Sequence, residues 1–404
     1  MNIVIIGAGV AGITAAEKVR QIDSTAQITV FSQEREDFYY RTRLPEIVSG
    51  SLVIEKIFVH PPSWYREKNI ELRKGESLTE ISLEERQVRG SLGSRLLFDR
   101  LLLAVGAKSF RPPGIDYNLG GVFTFRTLNE ALTILYEVKR AKKAVFMGAG
   151  VLAIELAAAL AGSGLEVLVA ERGSRILPRQ TTPASSAKLK TLLAAKGVEF
   201  ILNSSVKELK GYERLNSVVF SDGTEVGAQL LIVSAGITPN LELAQKLRLK
   251  IDKAVMVDQF METSISGIYA AGDCAQSLDG QSGLWTIARQ QALIAGQNMV
   301  SEQLSRQVYT PLSPNVSLKV AGVDLVAAGN LDVDEKLNSA IAETEGFYRK
   351  VVVDDEGLLV GYTILGSNAG VARLAGALKR EKLSPSTLKA LKEPDFDFSS
   401  LVFD

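Results

Sequence analysis

Cysteine and histidine are all but missing from this chain: its 404 residues include one of each, Cys274 and His60. A lone cysteine forms no internal disulfide. Together the two residues cannot build a cysteine/histidine metal site or a cysteine-held iron–sulfur cluster, so no metal is expected. His60 precedes Pro61-Pro62 and reads as a loop residue, and Cys274 reads as a packed thiol. Net charge is absent too, with 46 Lys+Arg set against 46 Asp+Glu. The composition therefore favours neither nucleic acid nor an anionic membrane surface as a partner. An uninterrupted apolar span is also lacking. The most apolar stretch, Ala144 to Ala161, contains Glu155, and a buried strand–turn–helix explains it better than a membrane crossing. Met1 leads straight into a strand-like run with neither a basic segment nor a cleavable apolar stretch. No signal peptide is expected, and a reducing cytoplasmic setting is.

What the chain does have is a repeated motif. Ile3-Val4-Ile5-Ile6 runs into Gly7-Ala8-Gly9-Val10-Ala11-Gly12, and Ala144-Val145-Phe146-Met147 runs into Gly148-Ala149-Gly150-Val151-Leu152-Ala153. Each is a strand entering a glycine-spaced turn that opens a helix. Glycines there let the backbone approach a pyrophosphate, and the helix N-terminus offers it free N–H groups and a positive dipole end. Two such motifs on one chain imply two dinucleotides, and two such ligands on one protein usually exchange electrons.

The surrounding pattern gives an α/β fold. The first unit starts Asn2–Ile6, a helix from Val10 to Gln21 and a strand Ile28–Ser32, and continues to Leu101–Ala107. Arg111-Pro112-Pro113-Gly114 then marks a crossing. A second unit repeats the scheme with a strand Lys143–Met147, a helix to Ala161 and a strand Leu165–Ala170, closing near Leu230–Gly236. Gly267–Asp273 reads as a further strand of the first unit, so the second unit is inserted in the first. From Pro311 the pattern changes to short strands, a hairpin joined through Asp354-Asp355-Glu356-Gly357, and a helical tail from Val371. The expected division is 1–111 and 237–310 for a first dinucleotide-binding domain, 112–236 for a second one inserted in it, and 311–404 for a small α+β domain.

The N-terminal motif, Gly7, Gly9, Val10, Ala11 and Gly12, is assigned to the ADP half of a flavin. Ser32 and Gln33 hold the end of its second strand, and Glu34 follows as a candidate for the ribose, with a solvated loop charge as the alternative. The second motif, Gly148, Gly150, Val151 and Leu152, is assigned to a nicotinamide dinucleotide. Glu171 closes the strand after it, where a carboxylate accepts ribose hydroxyls and repels a 2′-phosphate, favouring NAD(H) over NADP(H). Arg172 beside it and Ala153 in place of a third glycine weaken that discrimination.

With these residues in place, the chain resembles the FAD-dependent pyridine nucleotide–disulfide oxidoreductase superfamily over nearly its whole length, and within it the rubredoxin-reductase and nitrite-reductase flavin-domain branch. Leu103-Ala104-Val105-Gly106-Ala107 is similar to its A-T-G segment, with Val105 for threonine. Thr263 through Asp273 resembles its second FAD motif, ending in Gly272-Asp273, and Ala235-Gly236-Ile237-Thr238-Pro239-Asn240 resembles the return from the NAD domain. The resemblance implies that Asp273 binds the ribityl chain and that Arg41, Leu78, Trp285 and Lys319 lie along the flavin. Lys319 would sit by the ring edge that carries charge on reduction, with a solvated strand lysine as the alternative. It also implies that Glu155 lies at the flavin–nicotinamide junction, and that Gly236 borders the NAD(H) site.

Relatives in this superfamily that reduce disulfides carry a cysteine pair, and its peroxidases and oxidases a single cysteine near residues 40–45. Here that stretch reads Tyr40-Arg41-Thr42-Arg43-Leu44-Pro45. The expectation is therefore an FAD-dependent NAD(H) oxidoreductase that exchanges electrons with a one-electron protein carrier: rubredoxin, ferredoxin, or an iron–sulfur subunit of a larger complex. The alternatives are an NADH oxidase or diaphorase, and a non-catalytic FAD-binding sensor or structural subunit. Direction and oligomeric state are left open.

Overall fold

A computed structural model describes every residue except 279, 312–315, 321 and 404, and all side chains but those of 316 and 318–320. The chain divides into two compact units. The first comprises Met1–Tyr40, Val53–Lys108 and Ile237–Leu312, and the second Arg41–Leu52, Ser109–Gly236 and Ser313–Asp404.

In the first unit, five parallel strands lie in the order Ile268–Ala270, Arg100–Leu103, Asn2–Ile6, Gln27–Ser32 and Ile70–Lys74. Strands covered on both faces need continuous apolar runs rather than alternation, and Ile3 to Ile6 and Leu101 to Leu103 are all buried. The helix Val10–Ile22 packs against the long helix Trp285–Val300. Gly296 permits that approach, since a Cβ there would lie 2.7 Å from the Ala15 carbonyl oxygen. A three-stranded antiparallel meander, Leu78–Ser82, Gln87–Gly90 and Arg95–Leu97, completes the unit.

The second unit contains a sheet of the same design: Val122–Thr124, Leu230–Val233, Lys143–Met147, Glu166–Glu171 and Val198–Leu202, all parallel. It too is followed by a three-stranded meander, Val206–Gly211, Leu215–Phe220 and Glu225–Gly227. The two sheets differ only in where the edge strand beyond the central three originates. In the second unit Val122–Thr124 comes first in sequence, whereas in the first Ile268–Ala270 arrives after the chain has returned from the insertion.

A five-stranded antiparallel sheet also belongs to the second unit, in the order Val316–Val320, Val323–Gly329, Leu359–Leu365, Tyr348–Val353 and Asn338–Glu343. The Asp354 carboxylate accepts the amides of Glu356 and Leu358, which closes the hairpin turn. Arg349 is almost fully buried here. Its guanidinium donates to the carbonyls of Leu391 and Glu393 at 2.6 and 2.7 Å and lies over the rings of Phe347, Phe396 and Phe398. This sheet joins the parallel part of its unit through Thr182 and Tyr348, whose hydroxyls are 3.1 Å apart, and through Thr363, which donates to the Gln180 carbonyl.

The observed grouping differs from the sequence-based division in two places. Arg41–Leu52 falls in the second unit, because the short helix Leu44–Val48 packs on the helices Leu128–Val138 and Val151–Gly162. Residues beyond 312 group with the inserted unit rather than standing alone, through the Thr182–Tyr348 and Gln180–Thr363 bonds just described.

Candidate functional site

The first glycine turn is built from three glycines with two different duties. Gly7 has φ +111°, and a Cβ on it would lie 2.1 Å from the Ala104 carbonyl oxygen. A Cβ on Gly12 would lie 1.8 Å from the carbonyl oxygen of Gly7 itself. These two are required by packing. Around Gly9, by contrast, a Cβ would meet nothing within 4 Å, which leaves room for a ligand to come close to the backbone. Gly9 is also the N-cap of Val10–Ile22, with no side chain capping the helix and no acidic residue in its first turn. The terminal N–H groups and the positive end of the dipole are thus left for an anion.

Distant segments converge on this turn within the first unit. Gly272, at φ +82°, packs 3.1 Å from the Ala11 Cβ (measured from its ideal Cβ position), and its amide donates to Gln291 Oε1 at 2.9 Å. This brings half-buried Asp273 beside the start of the first helix. The Ala104 amide donates to the Ile6 carbonyl, and Asn240 binds the carbonyls of Val105 and Gly106. Trp285 opens the long helix, and its buried indole Nε1 has no hydrogen-bond partner among the described residues. Its ring centroid is 6.3 Å from that of Tyr40. A buried donor without a partner is costly, and an acceptor on a bound flavin would satisfy it. The residues present therefore fit FAD.

Strand register places Ser32, not Glu34, opposite the position of Glu171 in the second motif. Gly7 N–H donates to Phe31 O just as Gly148 N–H donates to Ala170 O. The Ser32 hydroxyl binds the Glu34 carbonyl, and Glu34 Oε2 accepts the Tyr39 hydroxyl at 2.7 Å. Gln33 is exposed, and Leu78 is buried in the first unit's core. Arg41 lies in the second unit, where it donates to the Arg126 carbonyl at 3.0 Å. Lys319 lies on Val316–Val320, but its side chain is outside the described residues.

The second turn repeats the first. Gly148 has φ +103° with an added Cβ 2.4 Å from the Ser234 carbonyl oxygen, whereas around Gly150 nothing lies within 4 Å. The helix Val151–Gly162 again has no side-chain cap and no acid in its first turn. Val151 and Leu152 are half-buried, and Ala153, standing in the place of Gly12, is fully buried. Glu171 is held at the mouth of this turn: its carboxylate accepts the amides of Ala149 at 2.8 Å and Gly173 at 2.7 Å. The oxygens keep further lone pairs for ribose hydroxyls. Arg172 is exposed, and Gly236, at φ +113°, accepts the Phe110 amide. This cradle fits a nicotinamide dinucleotide.

Glu155 is the one charged residue of its helix and is half-buried. Burial, aided by the nearby Glu46 carboxylate, pushes its pKa up to about 7. Arg43 grips Glu46 with two bonds, Nε to Oε1 at 2.8 Å and Nη2 to Oε2 at 2.7 Å. Sequence reading missed Arg43 and Glu46, as it missed Gln291 and Tyr39. Only the Arg-x-x-Glu spacing of the first pair leaves a trace in the chain.

The lone cysteine and histidine are accounted for by packing. Cys274 is fully buried and burial pushes its thiol up to about 11. His60 stacks on Trp64, centroids 3.8 Å apart, and its pKa is lowered by burial. Among the described residues no group of three or more acidic, histidine or cysteine side chains could hold a metal, and no helix is long and apolar enough to cross a membrane.

Residues 1–292 match the pyridine nucleotide-disulphide oxidoreductase family. The chain belongs to this family. Its cofactors are FAD and NAD(H). It is 28% identical to an assimilatory nitrate reductase electron transfer subunit of Bacillus subtilis, over 98% of this chain and 51% of that protein, so it spans about half the length of that relative. It is 32% identical to a rubredoxin-NAD(+) reductase of Pseudomonas putida, over 84% of this chain and 90% of the relative. Among solved structures, NADH:rubredoxin oxidoreductase from Clostridium acetobutylicum superposes with a TM-score of 0.77 at 26% identity, covering 93% of this chain and 94% of the other.

Proposed function

We propose that this chain moves electrons between NAD(H) and a one-electron carrier protein, a rubredoxin, a ferredoxin or an iron–sulfur subunit of a larger assembly. Bound FAD and NAD(H) supply the chemistry: hydride exchange at the nicotinamide and single-electron exchange with the carrier. The carrying observation is the pairing of two open glycine turns with a lone cysteine that is buried and kept as a thiol. With no dithiol of its own, the chain has nowhere to store the electron pair except on its cofactor, and the electrons must leave to another molecule.

The chain's residues position rather than react. In this reading the N–H groups after Gly9, with Asp273, Trp285 and the Ala104–Gly106 turn, hold FAD, joined by Ser32, Gln33 or Glu34 at the ribose and by Leu78, Arg41 and Lys319. The N–H groups after Gly150, with Val151, Leu152, Glu171, Arg172 and Gly236, hold NAD(H), and Glu155 faces its nicotinamide half. The functional division remains 1–111 with 237–310 for FAD, 112–236 for NAD(H) and 311–404 for a C-terminal part. A cytoplasmic setting fits a free, buried cysteine.

Anaerobic stopped-flow tests the reading. NADH should bleach the flavin rapidly, and an oxidised iron–sulfur protein should restore its absorbance far faster than air does. Fast, stoichiometric reoxidation by oxygen without a carrier would instead make the chain an oxidase, and failure of NADH to bleach the flavin would make it a non-catalytic flavoprotein.

A further inference from the structure

The long helix Trp285–Val300 buries a face of small and apolar residues, Ala288, Ala292 and Ala295 among them, and on that face stands Gln291, only 1% exposed. Burying a side-chain amide is costly unless its polar ends are hydrogen-bonded. Gln291 meets that condition with a single loop. Its Oε1 accepts the Gly272 amide at 2.9 Å, and its Nε2 donates to the Ser277 hydroxyl at 3.3 Å. A backbone N–H can only donate, which fixes the end of the side-chain amide that faces Gly272.

The Gly272 amide lies where the sheet stops supplying partners. Ala271, just before it, still donates to the Leu103 carbonyl. Gly272 then turns at φ +82° and is wedged between two helices: its ideal Cβ position is 3.1 Å from the Ala11 Cβ and 3.5 Å from the Ala288 Cβ. Ala11 is in the first turn of the helix whose N-terminal N–H groups are open beyond Gly9. Ala288 is one helical turn before Gln291, on the same face. A second glutamine reaches the turn from further along the loop, Gln281 Nε2 donating to the Asp273 carbonyl at 3.2 Å. The Gly272–Asp273 pair is thus held at both ends, by the N–H of the first residue and the C=O of the second.

We propose that Gln291 is a positioning residue for FAD: it fixes the Gly272–Asp273 turn against the start of the first helix before the flavin binds, with Gln281 as a second tether. A turn already held in its bound arrangement favours affinity, because its ordering cost falls on folding rather than on binding. An apolar side chain of similar size would fill the same space on the helix but would leave the Gly272 amide without its acceptor. The inference rests on the FAD assignment above and deepens it.

Serial dilution of the FAD-loaded protein, with released flavin read by its fluorescence, gives the FAD dissociation constant and tests this. Gln291→Leu keeps the bulk and removes the acceptor, and its dissociation constant should rise about tenfold or more, the loss expected when a buried amide goes unpaired. Gln291→Glu at about pH 6, where burial favours the neutral acid, offers a carbonyl to Gly272 and a hydroxyl to Ser277. It should stay within about threefold of the parent, since both bonds are kept. Gln281→Ala should weaken FAD by about threefold or more. Parent-like FAD binding by a folded Gln291→Leu, or equal losses in Gln291→Leu and Gln291→Glu, overturns this inference alone. If Gln291→Leu does not fold, Gln281→Ala decides, and parent-like binding by that variant overturns the inference. Failure of the parent protein to load with FAD overturns the flavin-site assignment and the inference together.

Discussion

Replacing Gly150 by alanine separates the duty of a ligand-facing glycine from that of a structural one. Gly150 has φ −78° and ψ 177°, a conformation open to any residue, and the new methyl group would meet nothing within 4 Å. Alanine is a poorer N-cap than glycine by about 0.5 kcal/mol, and the lost freedom of the unfolded chain returns about 0.4–1 kcal/mol. The two effects nearly cancel, so Gly150→Ala should unfold in urea within about 0.5 kcal/mol of the parent. Gly148→Ala is the control in the same turn. There φ is +103° and the methyl group would sit 2.4 Å from the Ser234 carbonyl oxygen, so backbone strain and a main-chain clash together should cost about 3 kcal/mol or more. In nucleotide titrations followed by flavin bleaching, Gly150→Ala should weaken NADH by about tenfold or more, because the methyl group occupies the approach of the pyrophosphate. Full NADH affinity in a normally stable Gly150→Ala protein would refute the assignment of that open space to the nucleotide. A destabilised Gly150→Ala would refute the packing argument itself.

Three further outcomes are expected. Glu171→Ala should weaken NADH about tenfold while leaving flavin content unchanged, since the carboxylate serves only the second turn; a parallel loss of flavin would contradict this. Glu155→Gln should be more stable than the parent at pH 8 by about 3 kcal/mol and equal to it near pH 4.5. The sign follows from a folded-state pKa raised from 4.5 to about 7: the ionised form is disfavoured in the fold, so the penalty grows as pH rises between those values and is complete above 7. Denaturant midpoints measured across that range check it, and a variant gaining nothing at pH 8 would argue against the buried charge. Cys274 should resist thiol reagents in the native protein at pH 7 and react fully in denaturant, because it is buried and its thiol titrates near 11; rapid native labelling would contradict that placement.

Most of the α/β scaffold is legible along the chain. The strand at Asn2–Ile6, the helix from Val10, the strand Lys143–Met147 and the hairpin through Asp354–Gly357 all lie where apolar runs and turn residues place them. Periodicity and turn chemistry are local, and so are the glycine spacings. Glu171 could be read for the same reason, since the end of the strand after a glycine turn is a fixed place in such a unit. The ribose candidates of the first motif were harder to separate. Ser32, Gln33 and Glu34 are consecutive, and only pairing register shows that Ser32 is the counterpart of Glu171.

The sequence by itself determined that two strand–glycine–helix units exist, that each can receive a dinucleotide, and that no cysteine pair is present to take electrons from them. Tertiary structure alone decided which glycines are steric and which stand in open space, because the Ala104 and Ser234 carbonyls that forbid a Cβ on Gly7 and Gly148 lie just past strands far along the chain. It also decided that Gln291 holds the Gly272 turn, that Arg41–Leu52 packs with the second unit, and that the short helix carrying Glu46 packs on the helix carrying Glu155. Such contacts depend on how whole elements pack, and a carboxylate's charge depends on what surrounds it. Neither is encoded in the spacing of neighbouring residues.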